Sequence, residues 1–332
     1  MIRPLRVALC LLLAASVPPL AAARAQTITW EMSNEYPATS IHGEGDQFFS
    51  RLVTQKSHGK IVIKHCFDAC NGVRSRDMLE GVATGKMPLA DIYVGALGDA
   101  EPIFLLPSLP FLAVTTDQAR ALFDTAEAAY DQALARHNQK LLYPSPWPAT
   151  GIWAKQPITT LESLKGLRIR TYDRNGTITF AALGAQPLEL SFSDALPQLA
   201  TGEIQAVLSS GDGGAGAKLW EYLDHFTAIN YAMPLSLVTI NLDVWQHLTP
   251  TQKRAVRDAA NATEAHQWLA IRQRVAENYA RMRANHVTVT TDVPPAVTAA
   301  LKRAGHEAID AWIERYGPEG RLLLADYDRR IR

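Results

Sequence analysis

Cysteine is scarce in this chain: three occur among 332 residues, at positions 10, 66 and 70. So few exclude a scaffold built on disulfides, and His65-Cys66-x-x-x-Cys70 by itself lacks the four ligands of a structural zinc site. An excess of one charge is missing too, since 33 basic residues face 33 acidic ones. A nucleic-acid partner is therefore not expected. Past the first 25 residues there is no apolar run long enough to cross a bilayer, and there are no repeats or low-complexity segments. Catalytic signatures are also wanting. None of the nine histidines sits in a zincin motif, and Ser209 and Ser210 lack the leading glycine of a nucleophile elbow.

What is present begins with an address. Arg3 and Arg6 precede an apolar run over residues 7–17, and Ala23-Arg24-Ala25 has the small-x-small form that signal peptidase accepts. Export with cleavage after Ala25 is the expectation, leaving Gln26 as the new N-terminus. Cys10 falls inside the apolar core, which argues against a lipoprotein. Three arginines and no acid leave with the signal, so the remaining chain has 30 basic and 33 acidic residues. In an oxidising compartment Cys66 and Cys70 are expected as a local disulfide or as buried thiols, ahead of a metal site.

Short β-branched runs alternate with helical stretches, which is the pattern of an α/β protein. Strands are predicted over 27–32, 60–65, 90–94, 166–171, 206–209 and 236–240. Helices are predicted over 45–55, 76–84, 116–136, 175–183 and 193–200, with Gly85 and Gly202 as left-handed stops. Pro144-Ser145-Pro146-Trp147-Pro148 reads as a turn after which a second domain starts. Two sheets facing each other across a ligand groove follow from this order. Residues 251–285 contain neither Pro nor Gly, and Thr249-Pro250-Thr251-Gln252 supplies an N-cap, a first-turn proline and a capping-box glutamine. A helix of that length reaches about 50 Å, enough to brace two domains. A coiled-coil dimerisation arm is the alternative, although strict heptads are not evident.

Taken in order, several segments carry a resemblance. They are Thr54-Gln55-Lys56-Ser57-His58-Gly59-Lys60-Ile61, Ser75-Arg76-Asp77-Met78-Leu79 and Lys165-Gly166-Leu167-Arg168-Ile169-Arg170. Phe192-Ser193-Asp194-Ala195-Leu196 and Trp245-Gln246-His247-Leu248-Thr249-Pro250 follow, the last leading into the long helix. The succession resembles the solute receptors of TRAP transporters, the DctP-like family, over essentially the whole mature chain. That resemblance implies an α/β, two-lobed periplasmic-binding-protein-like fold with a long helix bracing both lobes. Lobe one would comprise 26–147 plus 236–275, and lobe two 148–235 plus 276–332. It also implies a monomeric receptor in the periplasm that binds a small organic acid and delivers it to a TRAP membrane permease. No catalysis, cofactor or metal is implied.

The family's carboxylate-binding arginine falls on Arg170. Alternation along the strand turns Leu167 and Ile169 to the core and lets Arg170 emerge at the groove, where a guanidinium fork matches a carboxylate. Arg168 reads as a surface salt bridge. By the same resemblance Phe192 is an aromatic wall, and Ser209 and Ser210 stand where relatives place an acid and an amide. A second basic contact of some relatives has no counterpart, and that neighbourhood offers Trp147, Thr150 and Trp153. One cation with more indole implies a monocarboxylate that has an apolar or aromatic portion. From lobe one, Asn34, Glu35, Tyr36 and Tyr93 lie at strand ends where open α/β sheets place ligands.

Two other classes compete. Gly211-Asp212-Gly213-Gly214-Ala215-Gly216 matches GxGxxG between a strand and a helix, but no acid follows about twenty positions on, as a dinucleotide site requires. A glycine-rich cleft turn accounts for it better. An exported interaction domain would show no melting response to small acids, whereas a receptor would respond without consuming them.

Overall fold

The computed structural model describes residues 27–332, which fold as two α/β lobes. The export signal, its cut after Ala25 and Cys10 lie outside those residues. The first lobe opens with β1 (Ile28–Asn34), α1 (Ile41–Lys56), β2 (Ile61–Cys66), α2 (Ser75–Ala83) and β3 (Leu89–Tyr93). Short 3-10 turns lead to α3 (Thr116–Arg136) and β4 (Gln139–Pro146), after which the chain crosses to β5 (Thr150–Ala154). The second lobe continues through β6 (Arg168–Thr171), α4 (Arg174–Ala182), β7 (Gln186–Glu189), α5 (Phe192–Thr201), β8 (Ala206–Ser210), α6 (Gly211–Gly216) and β9 (His225–Thr227). The chain then returns by β10 (Leu235–Asn241) and α7 (Leu242–Gln246), runs along α8 (Pro250–Ala284), and adds β11 (Thr288–Thr290) to the second sheet. It ends in α9 (Pro295–Tyr316) and α10 (Pro318–Ile331).

The strands form a five-stranded sheet in the order β2-β1-β3-β10-β4 and a six-stranded sheet in the order β11-β9-β5-β8-β6-β7. Each sheet takes one antiparallel insertion from a crossing segment: β10 runs against β3 and β4, and β5 runs against β8 and β9. Period-two alternation builds the first lobe's two faces. Trp30, Met32, Leu89, Val238 and Ile240 pack with Phe49 of α1 and Val256 of α8. Ile92, Leu235 and Leu237 face Phe104, Phe123 and Tyr130.

The proline-rich stretch is a strand instead of a turn. Pro144 and Pro146 lie opposite Leu237 and Leu235 in β4, at the sheet edge, where a missing N–H costs no ladder bond if it faces outward. The two crossing segments are tied together: Trp147 donates its N–H to Pro234 O, and Thr150 to Ala232 O, both at 2.9 Å.

Helix α8 is the expected brace. Thr249 and Gln252 form its capping box, Val256, Trp268 and Ile271 enter the first lobe's cores, and Met282 enters the second lobe's. The last two helices depart from the expected division, which placed residues 276–332 wholly in lobe two. Val297 and Leu301 of α9 do pack there, but Trp312 and Tyr327 are buried in the first lobe's cluster with Phe104 and Tyr130. Trp312 Nε1 donates to Pro102 O at 2.7 Å and Tyr327 OH to Leu112 O at 3.0 Å. The reason is length: α9 extends past α4 and carries its indole onto the neighbouring lobe.

Candidate functional site

Arg170 is buried in the second lobe, against the rings that meet the first. The left-handed Gly166 (φ 68°) turns the chain into β6, which places Ile169 in the second lobe's core and Arg170 among aromatic rings. The side chain is only 2% exposed. Its Nε donates to Leu190 O at 2.9 Å and its Nη1 to Leu208 O at 3.2 Å, and among the described residues no carboxylate pairs with it. Its guanidinium carbon lies 5.5 Å from the Phe192 ring centroid and 5.8 Å from that of Tyr172, within cation–π range. Three of the five guanidinium N–H groups, one on Nη1 and two on Nη2, are not committed to these carbonyls. Arg168, expected in a salt bridge, instead donates to Glu203 O at 2.6 Å and Gly202 O at 2.8 Å, beyond the C-terminus of α5.

Rings from both lobes surround the cation. Tyr36 packs 4.5 Å from Trp147 and 5.4 Å from Phe192, and Tyr93 lies edge-on to Tyr172 at 5.5 Å. Burial pushes the phenols of Tyr36, Tyr93 and Tyr172 up, so all three stay protonated donors. Tyr93 OH donates across the lobes to Asp173 Oδ2 at 3.2 Å, and Tyr172 OH to Thr150 Oγ1 at 3.3 Å. Asp173 also caps α4 through Gly176 N–H at 3.0 Å. Burial raises its carboxyl to about 6. Tyr172 and Leu190 help line a cavity of about 360 Å3 between the lobes, together with Leu97, Arg76 and Glu189, whereas Arg170 itself is not among its lining residues.

The predicted residues divide into those brought together and those held apart. Arg170, Phe192, Tyr36, Tyr93 and Trp147 share one wall, and Thr150 joins it through Tyr172. Trp147 Nε1 also donates to Ser236 Oγ at 3.2 Å, and its indole stacks on His42 at 3.7 Å. Ser209 is 6% exposed, and a Cβ on Gly213 would come within 2.8 Å of its hydroxyl. Ser210 is the N-cap of α6, accepting from Gly213 N–H at 3.1 Å.

Trp153 points away from the rings. Its indole packs under α6, where a Cβ on Gly214 would sit 2.2 Å from it, and Nε1 donates to Ser210 O. That contact explains Gly214, a variable position of the GxGxxG match, while the motif's Gly213 and Gly211 are hemmed in by the Ser209 hydroxyl and Met282, which an added Cβ would meet at 2.8 and 3.0 Å. Asn34 is turned inward, donating to Asp46 Oδ2 at 2.7 Å and accepting from Tyr36 N–H at 2.8 Å. Glu35 is held by protein: Oε2 accepts from Ser75 N–H at 2.9 Å, and Oε1 accepts from Ser193 N–H at 3.1 Å and Ser193 Oγ at 2.9 Å.

Cross-lobe contacts missed in the sequence complete the picture. Arg74 and Arg76 both reach Asp194, at 2.8 and 2.7 Å. On the opposite flank Asp212 accepts from Ile41 N–H at 2.8 Å, from Asn278 Nδ2 at 3.0 Å and from Arg274. Tyr172 could have been suspected, since it stands two residues beyond Arg170 on the same strand exit. The acid–base pairs could not, because their partners lie 62 to 120 positions away.

Two lobes closed around a buried cation, with four chain crossings between them, define a solute receptor of the periplasmic type. Residues 32–315 match the family described as DctP, bacterial extracellular solute-binding protein, family 7. The chain belongs to that family, the solute receptors of TRAP transporters, which are binding proteins and not enzymes. It is similar in structure to a marine-metagenome TRAP solute-binding protein specific for pyroglutamate, with 27% identity, TM-score 0.87, and coverage of 92% of this chain and 99% of that one. A second likeness is DctP7 of Bordetella pertussis, a receptor binding pyroglutamic acid, with 27% identity, TM-score 0.87, and coverage of 91% and 100%. In sequence it is 25% identical over 260 residues to the ectoine-binding periplasmic protein TeaA of Halomonas elongata, covering 76% of each chain.

Proposed function

We propose that this chain is a periplasmic receptor for a small monocarboxylate, handed on to a TRAP membrane permease after export and cleavage behind Ala25. The observation that carries the reading is Arg170, a guanidinium withdrawn from water, held by two backbone carbonyls beside the Tyr36 hydroxyl and paired with no carboxylate among the described residues. A buried cation without a counter-charge is costly, and a ligand carboxylate at its remaining N–H groups supplies that charge. Two of its five donors already hold backbone, so its orientation is set before ligand arrives. That lowers the ordering cost of binding.

The rest of the wall argues for a ligand with one charge. Phenols of Tyr36, Tyr93 and Tyr172 and the hydroxyls of Thr150 and Ser209 offer neutral hydrogen bonding, while Trp147 and Phe192 offer apolar surface. The cavity's other cation, Arg76, is already paired with Asp194, so a second carboxylate would have to compete for it. Two structural relatives with 27% identity bind pyroglutamate, a monocarboxylate with a neutral ring, which supports the same class.

Calorimetric titration of the purified, ligand-stripped protein with pyroglutamate, benzoylformate and succinate tests this. Either monocarboxylate should bind more tightly than succinate. Tighter binding of succinate would overturn the assignment.

A further inference from the structure

We propose that the Cys66–Cys70 disulfide is a positioning element for ligand binding: it clamps a turn whose backbone amides hold the cleft loop carrying Asn34, Glu35 and Tyr36. The proposal rests on the acid-receptor reading above and adds a residue pair far from Arg170 in sequence.

Cys66 ends β2, where it lies opposite Ser33 of β1, and it is bonded to Cys70. Between them Asp68 and Ala69 both adopt left-handed backbone, with φ of 55° and 49°. Asparagine and aspartate tolerate that region; alanine gains nothing from it and is crowded by its own Cβ. Two such residues in succession persist when their surroundings impose them. The cross-link spanning them is the evident constraint.

The turn's geometry is used. Asp68 N–H donates to Tyr36 O at 3.1 Å and Ala69 N–H to Asn34 O at 3.3 Å, so the two left-handed residues aim their amides at the carbonyls on either side of Glu35. Just beyond the ring, Asn71 Nδ2 donates to Ser33 Oγ at 3.0 Å. Gly72 O then accepts from Arg74 Nη1 at 2.7 Å, and Arg74 reaches across the cleft to Asp194. One short segment thus fixes the Tyr36 ring against Trp147 and Phe192 and fixes the Glu35 carboxylate for its contact with Ser193. A cross-link closing so short a loop restrains the unfolded chain least of all, so its main effect is local. Cys66 is buried, whereas Cys70 is exposed and open to a reductant.

The test compares wild type with the C66S/C70S variant and with wild type reduced by dithiothreitol. The reagent supplies two electrons and two protons and leaves two thiols. Amide exchange is read on the ligand-free proteins, and pyroglutamate affinity on the same samples. Loss of the bond should speed exchange at Asp68 and Ala69 and raise the pyroglutamate Kd about tenfold, as expected for lost pre-organisation. Re-oxidation of the reduced wild type should restore both. An unchanged Kd overturns the proposal, as does a weakened Kd without faster exchange at these two amides. If the double variant does not fold, the reduced wild type decides. Should oxidised wild type bind neither pyroglutamate nor another acid, the receptor reading has failed, and the exchange arm alone then decides whether the clamp exists.

Discussion

Glu35 of the first lobe accepts two hydrogen bonds from Ser193 of the second, from its backbone N–H at 3.1 Å and its hydroxyl at 2.9 Å. The other carboxylate oxygen takes Ser75 N–H, so one anion bridges the first turns of α2 and α5, each of which presents unpaired amides and a positive dipole end. The Ser193 half of this arrangement exists only with the lobes together. Glu35→Gln keeps the shape and removes the charge, and it should raise the ligand Kd about tenfold, the worth of one charge-assisted bond. Calorimetry on the variant checks this. An unchanged Kd would show that the contact does not favour closure.

The same carboxylate predicts an acid-side sensitivity. Burial pushes Glu35 up, but the donors from Ser75 and Ser193 together outweigh it and hold it below its ordinary value of 4.5. The folded protein therefore binds this proton less readily than the unfolded chain does. Its contribution is complete above the ordinary glutamate value and is lost as pH falls through the lower folded one. The gap in Tm between wild type and Glu35→Gln should shrink from pH 6 to pH 3. A gap that stays constant over that range would contradict the assignment.

Arg170→Lys tests the fork against the charge. A lysine ammonium keeps the cation but cannot hold Leu190 O and Leu208 O while presenting two parallel donors. The expected loss is about a hundredfold in affinity for a monocarboxylate, with Arg170→Ala losing more. Mass spectrometry of co-purified small molecules gives an independent reading. An alanine variant that retains the wild-type ligand would place the anion elsewhere.

How legible these features are in the sequence depends on whether their cause is local. Arg170 can be found from its strand because alternation puts Ile169 in the core and leaves its neighbour at the strand exit. The long helix is visible because its capping box and its 35 residues without Pro or Gly are contiguous. Glu35 looks like a ligand contact in the sequence, yet its partners Ser75 and Ser193 are set by how two lobes meet, 40 and 158 positions away. Trp153 misleads for another reason. Strand β5 is buried at all five positions, so no alternation marks which side chains face the cleft. Trp312 and Tyr327 join the first lobe through tertiary packing that no local pattern announces.

Trp153 and Gly214 yield a stability prediction separate from binding. A methyl at Gly214 would meet the indole at 2.2 Å, with ring atoms and not a flexible chain end in the way. Gly214→Ala should cost about 1–3 kcal/mol by overpacking. Trp153→Phe should relieve part of that cost in the double variant. Urea unfolding of the three variants measures the coupling, and strictly additive losses would disprove direct contact.

Beneath the cleft wall, Asp46 and Asp91 form a buried carboxyl pair that should make the protein sensitive on the alkaline side. Asp46 accepts from Asn34 Nδ2 at 2.7 Å and Tyr143 OH at 3.2 Å, while Asp91 Oδ2 has no partner. Burial raises both, Asp91 to about 7, and the neighbouring Asp91 adds to the rise at Asp46. Carboxyls raised on folding mean that the native state holds protons the unfolded chain releases. Their stabilising protonation is complete below the ordinary aspartate value and is lost as pH rises through the folded one. Wild type should therefore weaken as pH rises from 4 to 8. Asp91→Asn replaces the ionising carboxyl by a neutral amide, so its stability should stay flatter over that range and exceed wild type at the upper end by about 1–3 kcal/mol. Urea unfolding at the two pH values decides the matter: parallel curves for wild type and variant would mean that the pair keeps its protons throughout, or never holds them. The Glu35 and Asp91 slopes have opposite signs, so combining Glu35→Gln with Asp91→Asn in one chain should remove the acid-side and alkaline-side declines separately.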